Sequence, residues 1–150
     1  MQKPETLYGL PWLLSKPERA ILDELQLACV YAAGPSGGRP LRLGHSSGLK
    51  LKDTVRHLQK GCWKELQIHQ IVWTKGEHIA SRVDNDASML MDKRRMIGSW
   101  FDVTPEFAGQ AIRIAAEKAR INPMSHDEML DHVRAIRAKR LDKGIVVRRQ

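Results

Sequence analysis

A loop of small residues and prolines between two apolar runs is the strongest constraint on the fold. Residues 34–40 read Gly-Pro-Ser-Gly-Gly-Arg-Pro, with an apolar run at 27–33 before them and a second run at 41–46 after them. Glycine and proline interrupt regular structure, whereas the flanking runs favour extended backbone. We therefore predict two short strands joined by a flexible loop. The chain has 150 residues, which is enough for one domain with a proper core.

The segments after this loop alternate between helical and extended patterns. Residues 50–60 carry Leu51, Val55 and Leu58 at helical spacing and are followed by Gly61, which is typical of an amphipathic helix and its end. Apolar residues alternate over 65–73, which predicts a third strand. Helical spacing returns over 77–92. This order predicts an α+β domain with a small sheet near its middle.

Helix-start signals flank this region on both sides. Ser15, followed by a proline and by Glu18, predicts a short first helix. Thr104 and Ser125 stand at the start of two further helices. We divide the chain into an N-terminal arm and helix (1–26), a central α+β domain (27–104), and C-terminal helices with a basic tail (105–150).

The charge balance indicates an anionic partner. There are 25 Lys and Arg residues against 17 Asp and Glu residues, so the formal net charge is +8. A surface this basic favours nucleic acid, because a duplex carries one negative charge every ~1.7 Å. The candidate nucleic-acid contacts are Arg42, Lys93, Arg94, Arg95, Arg134, Arg137, Lys139 and Arg140.

The sequence gives no indication of a membrane protein. No apolar stretch approaches the roughly 20 residues that a bilayer crossing needs. The N-terminal residues lack a basic region followed by a continuous apolar segment, so we expect no secretory signal. We therefore expect a cytoplasmic protein without a membrane partner, in which Cys29 and Cys62 are reduced.

Short motifs in the central region resemble a known superfamily. The order is Val30-Tyr31, the glycine-rich loop, Leu41-Arg42-Leu43-Gly44, a helix that ends at Gly61, and Gly98-Ser99-Trp100-Phe101. This arrangement resembles the GIY-YIG endonuclease superfamily, and more specifically its phage and mobile-element branch, over residues 27–104. The resemblance implies a small three-stranded antiparallel sheet flanked by helices, to which this chain adds helices at both ends. It also implies hydrolysis of DNA phosphodiesters with one Mg²⁺ ion.

The resemblance assigns roles to residues that match the family pattern. Tyr31 matches the tyrosine that helps to activate water, and Gly44 matches the last glycine of the second signature. Arg42 stands where that signature has a tyrosine, and His45, directly after Gly44, is also a catalytic candidate.

Two family positions have more than one candidate in this chain. For the helix arginine, counting forward from Gly44 gives Lys52, whereas counting back from the end of the helix gives Thr54. Lys52 and Arg56 share a helical face, so either could reach a phosphate. The metal-binding glutamate falls at Asp84, or at Glu77 if the helix is longer.

These departures leave two functions open. The first is a GIY-YIG-like protein that binds nucleic acid, by expectation DNA, with a divergent or impaired metal-dependent endonuclease site. The second is a non-enzymatic interaction or regulatory protein of a mobile element that uses the fold as a scaffold for a protein partner. A homodimer or a protein partner bound through the C-terminal helices is compatible with both.

Overall fold

The computed structural model describes residues 6–12 and 15–148 and has eight strands and five helices within them. The strands are β1 (Thr6–Leu7), β2 (Leu10–Pro11), β3 (Leu27–Pro35), β4 (Leu41–Ser47), β5 (Leu66–Lys75), β6 (Arg95–Ile97), β7 (Trp100–Phe101) and β8 (Met124–Ser125). The helices are α1 (Lys16–Glu24), α2 (Leu51–Lys60), α3 (Glu77–Leu90), α4 (Pro105–Lys118) and α5 (His126–Arg148), with a 3-10 turn at Asp92–Arg94.

A six-stranded antiparallel sheet forms the centre of this α+β protein. The strand order is β6–β7–β4–β3–β5–β8, and β1 and β2 form a separate two-stranded sheet. The expected three-stranded sheet is therefore wrong. The long strands β3, β4 and β5 do lie together, but short strands extend them on both sides. Part of the backbone at the outer edges of β4 and β5 gains hydrogen-bond partners in this way, which is a common means of covering exposed sheet edges.

Helices cover both faces of the sheet and enclose two cores. Side chains of α1, α2 and α5 pack on the face that carries Cys29, Tyr31 and Ala33 of β3. Side chains of α3 and α4 pack on the opposite face, against Val30 and Ala32. Strand β3 is buried on both sides as a result, which explains why its sequence is a continuous apolar run instead of an alternating one.

The helix starts predicted from the sequence are confirmed. Ser15 caps α1, because its hydroxyl accepts a hydrogen bond from the Glu18 amide while the Glu18 carboxylate accepts one from the Ser15 amide. Thr104 accepts from the Phe107 amide and so caps α4. Across the described ranges, no helix is both long enough and apolar enough to cross a bilayer.

An ion pair between a buried glutamate and a partly exposed arginine connects α1 to α5. Only 4% of Glu18 is exposed, and Arg137 Nη1 donates a hydrogen bond to Glu18 Oε1 at 2.9 Å. Burial raises the pKa of Glu18, but the hydrogen bonds from Ser15 and the charge of Arg137 outweigh burial, so that the pKa lies below its usual value. Arg137, a candidate nucleic-acid contact, therefore helps to hold two helices together.

This ion pair is expected to make part of the stability depend on pH. A carboxyl group with a lowered pKa in the folded state stabilises the fold above its unfolded pKa of about 4.3 and loses that contribution as the pH falls. The Glu18→Gln variant should therefore lose less free energy of unfolding than the native protein between about pH 7 and pH 3. Urea unfolding at both pH values measures this difference. Glu24→Gln is the control, since Glu24 pairs with Arg140 at the exposed surface, and equal losses in native protein and Glu18→Gln would contradict the expectation.

Candidate active site

The hydroxyl group of Tyr31 lies against the backbone of Gly44. The two residues are opposite each other in the β3–β4 ladder, so both face the α2 side of the sheet. A Cβ atom added to Gly44 would lie 2.5 Å from the Tyr31 hydroxyl oxygen and 2.7 Å from its Cζ atom. Only glycine therefore leaves room for the tyrosine ring to lie across β4. The same close contact explains why a tyrosine at position 31 goes with a glycine at position 44.

The Tyr31 hydroxyl keeps its proton at neutral pH. Only 2% of the residue is exposed. Burial raises the pKa of Tyr31 to about 12, the nearby Cys29 and Asp84 add to the increase, and the positive charge of Arg42 opposes it. The hydroxyl group can therefore donate a hydrogen bond to an anionic oxygen, but it is a poor base.

Arg42 places a positive charge beside this tyrosine. It lies two residues before Gly44 on β4 and therefore on the same face of the sheet. Its Nε atom is buried and has no hydrogen-bond partner among the described residues. A buried guanidinium nitrogen without a partner is costly, so this side chain is suited to bind an anionic oxygen.

A histidine and an aspartate meet on the other side of β4. His45 Nδ1 donates a hydrogen bond to Asp84 Oδ2 of α3 at 2.6 Å, and the Ser88 hydroxyl donates to Asp84 Oδ1 at 3.4 Å. Asp84 is 9% exposed, whereas 35% of the His45 side chain is exposed. With Nδ1 bound to the carboxylate, the second ring nitrogen, Nε2, is the one that can accept a proton from a ligand.

The outer edge of β4 is free beyond the point where β7 ends. On β4, strand β7 pairs only with Leu41 and Arg42, and one further hydrogen bond joins the Leu43 amide to the Ser99 carbonyl. From Gly44 on, no strand among the described residues pairs with this edge of β4. His45 directly follows Gly44 on this edge, so groups of both faces are carried by neighbouring residues of β4.

The two basic candidates on α2 lie away from this cluster. Lys52 lines a surface cavity with Trp12 and Arg19, and Arg56 pairs with Asp53. In contrast, the Thr54 hydroxyl contacts the Ser46 hydroxyl of β4 at 3.3 Å. Lys52 and Thr54 are on opposite flanks of the apolar stripe because successive helical residues are rotated by about 100°. Of the two positions counted for the helix arginine, only Thr54 faces β4.

The two carboxylate candidates are also separated. Glu77 is exposed at the first residue of α3, about two helical turns, or roughly 10 Å, from Asp84. The described residues contain no group of three or more His, Cys, Asp or Glu side chains that could hold a metal ion. Mg²⁺ is commonly held by one or two carboxylates together with water and substrate phosphate. Asp84 is compatible with a site that has a single protein carboxylate. Its Oδ2 atom accepts from His45, and its Oδ1 atom has only the long contact from Ser88.

The basic candidates fall into two groups. One group is on α5 and consists of Arg134, Arg137, Lys139 and Arg140. Arg137 and Arg140 pair with glutamates of α1, whereas Arg134 has a buried nitrogen without a partner in the described region. The other group is exposed at the start of β6 and consists of Lys93, Arg94 and Arg95. The side chains from residue 143 on, which include the end of the predicted basic tail, lie outside the described residues. The second group lies nearer to Arg42, because β7 joins β6 to β4.

Comparisons with known proteins add no assignment. No protein-family model, no curated protein and no solved structure matches this chain. The superfamily resemblance therefore stays a prediction that depends on short motifs and their spacing. What bears on function is the position of the motif residues: Tyr31 and Arg42 lie on one face of the sheet, His45 and Asp84 are paired on the other, and Lys52, Arg56 and Glu77 lie away from both pairs.

Proposed function

We propose that this chain is a GIY-YIG-like DNA-binding protein that hydrolyses phosphodiester bonds at the free edge of β4. The observation that supports this most strongly is the position of two pairs of groups at neighbouring positions of the sheet: Tyr31 of β3 and Arg42 of β4 on one face, and His45 of β4 with Asp84 of α3 on the other. They supply a hydrogen-bond donor, a cation, a base and a carboxylate. These are the groups that hydrolysis of a phosphodiester needs.

Each residue has a separate role in the proposed reaction. His45 Nε2 takes a proton from a water molecule, whose oxygen attacks phosphorus as the bond to the leaving sugar oxygen breaks. Asp84 holds the imidazole ring in position, while Arg42 and the Tyr31 hydroxyl bind the phosphate oxygens as their negative charge grows. The leaving oxygen takes its proton from solvent. A Mg²⁺ ion held by Asp84 would supply further positive charge at the phosphate.

DNA binding should depend strongly on salt. Charge is the support for this part of the proposal, with a formal net charge of +8 and three exposed cations beside β6. Neutralisation of DNA phosphates releases counterions, so affinity falls as salt rises. Gel retardation of a short duplex should show at least about a tenfold loss of affinity between about 50 and 200 mM salt. Binding that is unchanged by salt would contradict the proposal.

Removal of the Tyr31 hydroxyl should impair cleavage without impairing binding. Tyr31→Phe keeps the ring against Gly44 but removes one hydrogen bond to the charge that develops in the transition state. We expect a loss of about 100-fold in the nicking rate of supercoiled plasmid, as for other donors of this kind, and a retardation midpoint within about twofold of the native value. Tyr8→Phe, the change of the only other tyrosine, is the control. Equal nicking by both variants would remove Tyr31 from the site.

A further inference from the structure

The β6–β7 hairpin presents two apolar side chains to solvent. Met96 is 59% exposed and Ile97 is 75% exposed, and all three residues of β6 are exposed. Large apolar side chains at adjacent positions of an exposed sheet edge are costly in water and often mark a site of contact. Neither Met96 nor Ile97 was selected as a candidate from the sequence. The pattern that could have indicated them is an apolar pair between the three basic residues 93–95 and Gly98.

Contacts within the hairpin hold this tip in one shape. Arg95 donates hydrogen bonds to the Asp92 carboxylate and to the Gly98 carbonyl, and its guanidinium lies 4.8 Å from the centre of the Phe101 ring. Gly98 turns the chain with a φ of +56°, which glycine adopts without strain. The apolar tip is therefore ordered before any ligand arrives, which lowers the entropic cost of binding.

The hairpin lies directly beside the candidate active site. Arg42 pairs with Trp100 of β7, and the Leu43 amide donates to the Ser99 carbonyl at 3.0 Å. A ligand that contacts the hairpin tip and continues along the free edge of β4, which begins at Gly44, would therefore reach His45. Lys93 and Arg94 are exposed immediately before β6. The tip thus combines an apolar end with positive charge at its base.

We propose that Met96 and Ile97 enter the minor groove of duplex DNA, separate one base step, and bend the duplex beside the site. This inference rests on the DNA binding proposed above. Met and Ile are among the side chains that act as such wedges, and the cations at the base of the hairpin would contact the flanking phosphates. A second copy of the chain is a poorer occupant. Pairing of two β6 edges would bring the cations of both copies together, and charges at a strand edge oppose such pairing.

A bending assay on the whole 150-residue chain tests this inference. The probe is a short duplex with a fluorophore at each end, titrated with native protein, with the double variant Met96→Ala/Ile97→Ala, and with the control Ile114→Ala/Leu141→Ala. The control removes two exposed apolar side chains from α4 and α5. At saturation we expect the native protein and the control to shorten the end-to-end distance, as for a bend of about 20–90°. The tip variant should bind about tenfold more weakly, with an unchanged salt slope and no bend.

The outcomes separate this inference from the proposed function. If the native protein binds with the expected salt dependence and the tip variant bends DNA equally well, the wedge is wrong and DNA binding stands. If the native protein binds no duplex even at low salt, both proposals fail. If sedimentation shows a native dimer that the tip variant converts to a monomer, with DNA bending unchanged, the tip is a self-association surface and the wedge is again wrong.

Discussion

Replacement of His45 by alanine should lower the rate of plasmid nicking by about 100- to 10,000-fold, which is the usual contribution of a general base. The reason is the hydrogen bond from His45 Nδ1 to Asp84, which leaves Nε2 as the nitrogen that can take a proton from water. Tyr31 cannot replace it in this role, because burial raises the pKa of Tyr31 to about 12. Nicking rates at saturating protein, with retardation measured on the same samples, test this expectation.

The control for this variant is His78→Ala. His78 is an exposed histidine near the start of α3, so its loss should leave nicking and binding unchanged. Retardation by His45→Ala should stay within about twofold of the native value, since one partly exposed side chain contributes little to overall charge. Native-like nicking by His45→Ala would show that another group activates the water and that the His45–Asp84 pair has no part in the chemistry.

Gly44→Ala should damage both stability and activity. The added methyl group would lie 2.5 Å from the hydroxyl oxygen of Tyr31, and this ring is nearly fully buried and cannot move away. Overpacking of this kind costs about 1–3 kcal/mol. For a chain of this size the melting temperature should fall by about 2–12 °C. Calorimetry measures this fall, and the displaced hydroxyl should also reduce nicking.

Gly37→Ala is the matched control for this change. A Cβ atom at Gly37 would meet nothing within 4 Å, so the variant should melt within about 2 °C of the native protein. The double variant Tyr31→Phe/Gly44→Ala should regain only part of the lost stability, because Cζ of the ring would still lie 2.7 Å from the added carbon. A melting temperature of Gly44→Ala equal to that of Gly37→Ala would contradict the packing described here.

The long elements could be predicted from the sequence because their signals are local. The caps at Ser15 and Thr104 involve residues only three positions apart, and the apolar stripe of α2 lies within one helix. The extended pattern over 98–103 predicts β7, but the two edge strands, β6 and β8, could not be predicted in this way. Strand β8, for example, has two residues and exists only because Met124 and Ser125 pair with β5, which lies far away in the sequence. Such pairing depends on tertiary structure and leaves almost no local pattern.

The candidate site could be predicted only in part for a similar reason. Motif spacing identified Tyr31, Gly44 and Asp84, whose positions are fixed by strand register and by the packed face of α3. The spacing could not decide between Lys52 and Thr54, because that choice depends on which flank of α2 turns toward β4. It also could not place Arg42 and Tyr31 on the same face of the sheet, since that depends on the alignment of β3 with β4.

The most direct test of the proposed function is incubation of supercoiled plasmid with the native protein and with Asp84→Asn, each in Mg²⁺, in Mn²⁺ and in EDTA. Nicking and gel retardation are read from the same samples. We expect both proteins to retard the plasmid and only the native protein with a divalent metal ion to nick it. Retardation without nicking, or equal nicking by Asp84→Asn, would contradict a hydrolytic role for this site.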